Sequence, residues 1–201
     1  MDKIPTVQKN AWGLKRGFIL ASGSPARLKL LKNAGFIPEK IVPADINEDI
    51  LDNERPAFYV RRMAFEKASF VASRHPEKVI LSADTVIAVG HRVIRKAGNE
   101  QEAHDHLDLI SGRGHKVITA FCIIAPNKKP IVRSVTTRVL IKPLSSLEKK
   151  VLLTSDEWRN VAGYSIEGML SAVVKKIVGS YPNIVGLPIY EVSKDLLRIL
   201  S

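Results

Sequence analysis

The chain has 201 residues, of which 45% are hydrophobic and 25% are charged. This composition is ordinary for a globular protein with one large domain or two small lobes, and it excludes a repetitive or disulfide-built chain. The formal net charge of +11 indicates an anionic partner, which could be nucleic acid, a membrane surface or a polyphosphate ligand.

The first 16 residues show no clear periodicity, and we expect a loosely attached extension over 1–16 followed by one domain over 17–201. They lack the continuous apolar core of a secretory signal, and no apolar run in the sequence is long enough to span a bilayer. The single cysteine, Cys122, excludes an internal disulfide and predicts a cytoplasmic location. Because Cys122 lies in the apolar segment TAFCIIA, we expect a small buried hydrophobic residue there and not a nucleophile.

The segment FILA at 18–21 predicts a short buried strand that leads through a Ser/Gly turn into a helix over about 25–34. Ser24 is placed as the N-cap of this helix and Pro25 as its first residue. A strand, a turn and a helix N-terminus form an anion site, because free backbone N–H groups and the helix dipole point at the ligand. Arg27 lies in the first turn, where a cation opposes the dipole, so it is either a phosphate contact or a solvent-facing side chain.

A second strand is predicted over 36–42, and the acidic segment PADINED follows at 43–49. Its carboxylate and amide oxygens could supply part of a Mg²⁺ site, although acidic loops are more often simply solvated. A helix predicted over 56–74 places Lys67 on its inner, apolar side. That lysine is either a functional interior cation or a side chain that reaches out to solvent.

The segment VILSADTVIAV at 79–89 is an almost unbroken apolar run, which predicts a strand buried on both faces. Asp84 lies in its middle, and a buried carboxylate is costly unless it is paired, hydrogen-bonded or bound to metal. Asp84 is therefore either a capping residue at a strand end or a catalytic carboxylate at the carboxyl edge of a sheet, where the ligand sites of α/β proteins collect.

The segment 90–98 predicts a hairpin or loop, and Asn99 is placed as the cap of a helix that ends at Ile110. His104 and His106 are two residues apart on this helix and do not share a face, so we expect surface residues and not metal ligands. The turn SGRGH follows, and its Arg113 could either contact phosphate or serve the turn itself.

Strands over 116–125 and 131–141 predict a long antiparallel hairpin, and a capping box of Ser145 and Glu148 predicts the next helix. The segment WRNVAGYSIEG at 158–168 is predicted as a loop with one buried acid, Glu167. Residues 169–178 favour a strand, with a short helix as the alternative, and a closing helix ends near Leu200.

Strands and helices alternate without a strict βαβ rhythm, which predicts an α/β or α+β fold with a mixed sheet. The basic candidates lie near element ends and not in one block, which favours a pocket for a compact polyanion over a DNA-gripping tail: Arg27, Lys67, Lys96 and Arg113. The scattered aromatic residues offer no stacking platform for single strands. A phosphate pocket with two or three carboxylates is typical of metal-assisted phosphoryl chemistry.

Seven motifs resemble, in order, those of the Maf family of nucleoside-triphosphate pyrophosphatases: ILASGSPARLKLL, PADINED, RMAFEKA, LSADTVI, LISGRGHKVITA, VAGYSIEG and GSYPNIVGLP. They cover about residues 18–190 of the chain. The resemblance implies an α/β fold similar to that of inosine-triphosphate pyrophosphatases, with a mixed sheet, flanking helices and two lobes around a central cleft. It also implies a homodimer.

The resemblance implies an enzyme that cleaves an NTP or dNTP, modified or non-standard nucleotides included, to the monophosphate and pyrophosphate. A role in cell-division arrest is a further expectation. Asp84 matches the general base, and Glu48 and Asp84 would hold Mg²⁺, with Mn²⁺ or Co²⁺ as substitutes. The triphosphate would be bound by two serines and the four cations named above: Ser22, Ser24, Arg27, Lys67, Lys96 and Arg113. The alternative is a nucleotide- or nucleic-acid-binding protein without turnover.

The chain departs from the family at positions that concern the base. The branch that acts on dTTP and UTP has Arg in place of Ala26 and Gln in place of Glu167, and it shares Thr85. A Gln offers a donor and an acceptor to the O4 and N3–H edge of uracil or thymine, whereas an ionised Glu only accepts. We therefore expect plain dTTP not to be the best substrate and guanine to fit better. The family pattern GKP is replaced at 95–97 by Arg-Lys-Ala, which weakens the match of Lys96.

Overall fold

Seven strands and six α-helices make up the part of the chain described by the structure, a computed structural model that describes residues 12–94, 97–155, 157–159 and 165–201. The strands are β1 (Phe18–Leu20), β2 (Lys40–Ile41), β3 (Val79–Val89), β4 (Arg92–Ile94), β5 (Gly114–Ile124), β6 (Ile131–Ile141) and β7 (Val174–Val178). The helices are α1 (Pro25–Asn33), α2 (Pro56–Ala72), α3 (Glu100–Ile110), α4 (Ser146–Thr154), α5 (Tyr181–Val185) and α6 (Ile189–Leu200), and a 3₁₀ helix spans Met169–Val173.

The strands form one mixed sheet in the order β2-β1-β3-β5-β6-β7, with β4 paired to β3. β1 runs parallel to β2 and β3, and the other pairs are antiparallel. Long strands rich in β-branched residues form the centre of the sheet, as expected for side chains that pack on a pleated, buried surface. The predicted mixed α/β sheet with flanking helices is confirmed.

One edge of β3 is covered only at its two ends. β1 pairs with Val79–Leu81, and β4 pairs with Ile87–Val89 on the same edge of the strand. The other edge pairs continuously with β5 from Ile80 to Ala88. Residues 82–86 therefore face an opening in the sheet, and Asp84 lies at its centre.

Three hydrophobic clusters stabilise the sheet. Two of them form one lobe of the molecule and the third forms the other. The first two lie on opposite faces of β1, β3 and β5, one beneath α2 and the other beneath α1 and α6. The third packs α3, α4 and the 3₁₀ helix against the far ends of β3, β5 and β6. Since the three long strands run through both lobes, the opening in the sheet lies between the lobes.

Most predicted element boundaries agree with the structure to within two residues, and two segments differ. The second strand is only Lys40–Ile41, shorter than the predicted 36–42, because Phe36 turns into the core and Pro38 has no N–H for a ladder. Residues 169–178 divide into the 3₁₀ helix and β7, so both alternatives for this segment occur in sequence.

The described end of the predicted extension is attached to the domain. The Trp12 indole donates to the Ala34 carbonyl at 2.7 Å, and its ring stacks on Phe36 at 5.8 Å. The backbone N–H groups of Lys15 and Arg16 donate to the Leu200 carbonyl at the end of α6. Residues 1–11 lie outside the described residues. No helix in the described ranges is both long and apolar enough to cross a membrane.

Candidate functional site

A cleft of about 960 Å³ lies between the two lobes at the opening in the sheet. It is lined by the turn between β1 and α1, the acidic segment before α2, the inner face of α2, the uncovered part of β3, residues 165–167 and residues 184–186. The carboxyl end of β1 and the turn that follows it therefore lie next to the middle of β3. Ligands of open α/β sheets bind at such carboxyl ends of strands.

Asp84, Lys67 and Glu48 form a charged group on one side of the cleft. The Lys67 Nζ lies 2.7 Å from Asp84 Oδ1 and 2.9 Å from Glu48 Oε1. The side chains of Asp84 and Lys67 are each only 10% exposed, whereas that of Glu48 is 52% exposed. Lys67 is thus an interior cation, and it provides the pairing that a buried carboxylate in the middle of a strand requires.

Arg27 enters the cleft from the first turn of α1. Its Nε donates to the Gly186 carbonyl at 2.9 Å, its Nη1 donates to Ser22 Oγ at 2.9 Å, and its Nη2 donates to Thr85 Oγ1 at 3.2 Å. Burial lowers the pKa of the Arg27 guanidinium, and the negative charges of Asp84 and Glu48 oppose that shift. The guanidinium remains a fixed cation, because arginine side chains are effectively always protonated in proteins.

The predicted N-cap of α1 is confirmed, since Ser24 Oγ accepts from the Arg27 backbone N–H at 3.4 Å. Ser22 Oγ accepts from the Ser24 N–H at 3.3 Å as well as from Arg27. The turn between β1 and α1 is thereby held with its serines and a helix N-terminus beside a cation. This arrangement suits an anionic ligand.

Behind the cleft, a line of buried hydroxyl and amide groups supports the Arg27 contacts. Thr85 Oγ1 lies 2.9 Å from Thr119 Oγ1, and Thr119 donates to the Asn183 carbonyl at 2.8 Å. The Asn183 amide donates in turn to the Val117 carbonyl and to Thr137 Oγ1, at 3.2 and 3.0 Å. The side chains that position Arg27 are therefore tied to the centre of the sheet.

The acidic segment is held by two residues of α2. The Tyr59 hydroxyl donates to the Glu48 carbonyl at 2.9 Å, and Arg62 Nη2 donates to the Asp49 carbonyl at 2.8 Å. Arg62 also donates to both carboxylate oxygens of Glu54, at 2.8 and 2.7 Å, and this hydrogen bonding lowers the pKa of Glu54. These contacts order the segment that presents Glu48 to the cleft.

An apolar part of the cleft is lined by Ile94, Ile166 and Ile184, which belong to one hydrophobic cluster. Glu167 follows Ile166 directly and also lines the cleft, as does Ala26 in α1. The Glu167 side chain is 41% exposed, so the prediction of a buried acid at this position is wrong. Lys29 Nζ, one helical turn after Ala26, lies 3.2 Å from Glu167 Oε1. An aliphatic wall of this kind suits a planar ring, whereas the group around Asp84 suits charge.

Nine of the predicted site residues line this one cleft: Ser22, Ser24, Ala26, Arg27, Glu48, Lys67, Asp84, Thr85 and Glu167. Arg113 is exposed and does not line the cleft, because its turn is hydrogen-bonded to the end of β6, with Arg113 accepting from the Ile141 N–H and Gly112 donating to Lys142. Lys96 lies outside the described residues.

Three further residues of the site and its support were not among the predicted site residues: Asp49, Thr119 and Asn183. Asp49 lines the cleft beside Glu48 and lies within the acidic segment already noted. Asn183 lies in the quoted GSYPNIVGLP motif, which was a usable signal. Thr119 lies opposite Thr85 in the β3–β5 register, which could not be read before the pairing of the strands was known.

The donor set of the cleft fits the Mg²⁺ that the resemblance implies. Glu48 and Asp84 are both within 3 Å of the same lysine nitrogen, so their carboxylates face one point. Among the described residues there is no group of three or more His, Cys, Asp or Glu side chains that could hold a metal without help. Two carboxylates are the usual protein share of a Mg²⁺ site that substrate phosphates and water complete.

Comparisons with known proteins agree with this fold and identify the family. The sequence profile of the family described as Maf-like protein matches residues 17–199. A dTTP/UTP pyrophosphatase of Caulobacter vibrioides is 44% identical over 174 residues, which cover 86% of this chain and 90% of the relative. A nucleoside triphosphate pyrophosphatase of Anaplasma phagocytophilum is 42% identical over 174 residues, with 86% and 90% coverage.

A solved structure of a HAM1 protein from Coxiella burnetii shares the fold at a TM-score of 0.51 and 13% identity, and the match covers 91% of this chain and 99% of that chain. At this identity the likeness concerns the fold alone. The profile match over almost the whole domain and the relatives above 40% identity establish the family. The chain belongs to the Maf-like protein family.

Proposed function

We propose that this chain is a nucleoside-triphosphate pyrophosphatase that hydrolyses an NTP or dNTP to the monophosphate and pyrophosphate. The observation that carries the proposal is a buried carboxylate, Asp84, held 2.7 Å from Lys67 in the same cleft as Arg27. The names of the relatives from Caulobacter vibrioides and Anaplasma phagocytophilum, both pyrophosphatases, support it.

In the proposed reaction, Asp84 accepts a proton from a water molecule as that water attacks the α-phosphorus. The new bond joins the water oxygen to the α-phosphorus, and the bond from the α-phosphorus to the α–β bridging oxygen breaks. The electron pair of the broken bond leaves with pyrophosphate. Lys67 and Arg27 stabilise the charge that develops on the leaving group, since preorganised cations act where charge builds in the transition state.

Glu48 and Asp84 are the residues that would hold Mg²⁺ in this proposal, with Mn²⁺ or Co²⁺ as substitutes. When bound, such an ion neutralises phosphate charge and orients the triphosphate. Tyr59 and Arg62 contribute by holding the backbone of the acidic segment that carries Glu48.

A cytoplasmic location and a homodimer belong to the same proposal. Cys122 is buried, and burial raises the pKa of its thiol to about 12, so a free, unreactive thiol fits a reducing compartment. The expected role in cell-division arrest stays a prediction.

The first prediction concerns Asp84, the proposed general base of the reaction. Asp84→Asn keeps the side-chain volume and removes the proton acceptor, so pyrophosphate release should fall by a factor of about 10² to 10⁴. The measurement is pyrophosphate release from a panel of nucleoside triphosphates, with Mg²⁺ and after chelation. Far-ultraviolet circular dichroism of the variant should match that of the parent protein.

Asp105→Asn is the matched control, because Asp105 is an exposed acid on α3 outside the cleft. It should leave the rate unchanged. A near-normal rate for Asp84→Asn would remove Asp84 from the mechanism. Nucleotide affinity without pyrophosphate release from the parent protein would favour the alternative, a binding protein without turnover.

A further inference from the structure

An ion pair joins α1 to the loop on the other side of the cleft. Lys29 Nζ lies 3.2 Å from Glu167 Oε1, and the two side chains are 66% and 41% exposed. Glu167 lines the cleft, and Ala26, three residues before Lys29, also lines it. Residues three apart on a helix share a face, so Lys29 lies on the side of α1 that faces the cleft.

This ion pair adds little to the stability of the fold. Exposed pairs contribute little to the free energy of folding, because both charges stay solvated and two long side chains are immobilised. The pair is better understood through what it offers a ligand. The ammonium group is a donor only and the carboxylate is an acceptor only, so together they present one donor beside one acceptor.

The location of the pair suggests which part of a nucleotide meets it. Glu167 directly follows Ile166, which lines the apolar part of the cleft with Ile94 and Ile184. A nucleoside triphosphate whose phosphates lie against Arg27 and Lys67 would place its planar base against this aliphatic wall. The polar edge of the base would then meet Glu167 and Lys29. This step rests on the proposed function.

We propose that Lys29 is a specificity-determining residue that allows a cleft with Glu167 to accept uracil and thymine. The ammonium group donates to the O4 carbonyl oxygen, and the carboxylate accepts from the neighbouring N3–H. Glu167 alone can satisfy only the N3–H and leaves O4 without a donor. The lysine therefore changes the expectation, drawn from Glu167 by itself, that dTTP fits poorly.

Guanine uses the same pair differently. Its N1–H and N2 amino group both donate, so Glu167 alone can accept two hydrogen bonds from it, and Lys29 adds only a contact to O6. Cytosine presents an amino group and an unprotonated ring nitrogen, which place donor against donor and acceptor against acceptor. Lys29 should therefore matter most for uracil and thymine and less for guanine.

The experiment compares kcat/KM for UTP, dTTP and GTP among four proteins. Lys29→Met should lower the UTP and dTTP values by about tenfold or more, the effect of one lost hydrogen bond to a charged group, and the GTP value by less than about threefold. Lys32→Met is the matched control, since Lys32 is an exposed lysine of the same helix outside the cleft. It should leave all three values unchanged.

The double variant Lys29→Met with Glu167→Gln gives the sharpest test. One amide both donates and accepts, so this variant should regain UTP turnover to within about threefold of the parent protein. Binding of UTP and GTP to Asp84→Asn, with and without Lys29→Met, should show the same shift in preference by calorimetry without any turnover.

Three results would overturn the inference: equal losses for UTP and GTP in Lys29→Met, identical behaviour of Lys29→Met and Lys32→Met, or no recovery in the double variant. Poor turnover of UTP and dTTP by the parent protein would overturn it as well. Failure of the proposed function looks different, because the parent protein would then release no pyrophosphate from any triphosphate while still binding nucleotides.

Discussion

The Arg27 guanidinium is held by residues that are themselves held by buried hydrogen bonds. Its Nη2 donates to Thr85, whose hydroxyl lies 2.9 Å from Thr119 Oγ1. Thr119 is fully buried and donates to the carbonyl of Asn183, which lies three residues before the Gly186 carbonyl that accepts from Arg27 Nε. A single hydroxyl on β5 therefore contacts both of the structures that orient the guanidinium.

We predict that Thr119→Val weakens catalysis through Arg27. The substitution keeps the shape and removes the hydroxyl, so Thr85 and the Asn183 carbonyl lose a partner in a buried network. We expect kcat/KM to fall by about tenfold, the effect of one lost buried hydrogen bond, while Thr119→Ser should stay near the parent value. The measurement is steady-state kinetics at equal folded fraction.

A double-mutant cycle separates this positioning role from a general loss of packing. If Thr119 acts through Arg27, its substitution should add almost nothing in an Arg27→Met background, since contacting residues are non-additive. Additive losses in the cycle would show that Thr119 supports only the fold.

The site residues that could be identified from the sequence are those that stand out against their neighbours along the chain. Asp84 was visible as a charge in an apolar strand, and Lys67 as a cation on the inner side of a helix. Their direct contact was not visible, because it depends on how α2 packs against β3. Arg113 resembled a phosphate contact for the same local reasons, yet its turn is hydrogen-bonded to the end of β6 and Arg113 is not among the residues that line the cleft.

At the scale of elements, local chemistry set most boundaries. Ser24, Asn99 and Ser145 cap their helices through the backbone N–H groups that the sequence predicted them to satisfy. The exceptions are segments whose structure depends on distant partners. Residues 36–42 contribute only two residues to the sheet, because β2 at its edge pairs with the three-residue strand β1.

The final helix is joined to the sheet by a buried acid. Asp195 of α6 has a side chain only 3% exposed, and Arg133 of β6 donates to it at 2.6 and 3.3 Å. This pairing raises the pKa of Arg133. Arg198 lies 3.6 Å from the same carboxylate, so it is a second and weaker partner.

We predict that Arg133→Met destabilises the protein by about 2 kcal/mol, because removing one partner leaves a buried carboxylate poorly compensated. Arg138→Met is the matched control: Arg138 is an exposed arginine on the same strand, with no ion pair to a described acid. The control should change stability by less than about 0.5 kcal/mol. Urea denaturation measures the free energy of unfolding of both variants. Equal effects would show that Arg133 contributes no more than a positive charge at any exposed position of the strand.

At the scale of the whole molecule, the cleft results from strand lengths and not from any one motif. β3 is eleven residues long, whereas β1 and β4 are three each and cover opposite ends of one edge. The uncovered middle brings Asp84 to the cleft while the other edge stays paired with β5. Sequence patterns indicated β1 and β3 as strands and residues 90–98 only as a hairpin or loop, and the opening follows only from the pairing of these segments.

The stability of the molecule should also depend on pH through His115. This residue is 2% exposed on β5, and burial lowers the pKa of its imidazole to about 4. In the unfolded chain the pKa returns to about 6.5, so below that pH the unfolded state binds a proton that the folded state does not. The free energy of unfolding therefore carries no penalty from His115 above pH 6.5. It declines as pH falls toward 4, by up to about 3 kcal/mol.

We predict that this decline becomes shallower in His115→Gln, whose side chain is neutral at every pH. The variant should be less stable than the parent protein at pH 7, because buried packing is changed, but the difference should narrow between pH 6.5 and 4. Urea denaturation at half-unit pH steps measures both curves, and His75→Gln, at a half-buried position after α2, is the control. Parallel curves for the parent protein and His115→Gln would show that other groups account for the acid sensitivity.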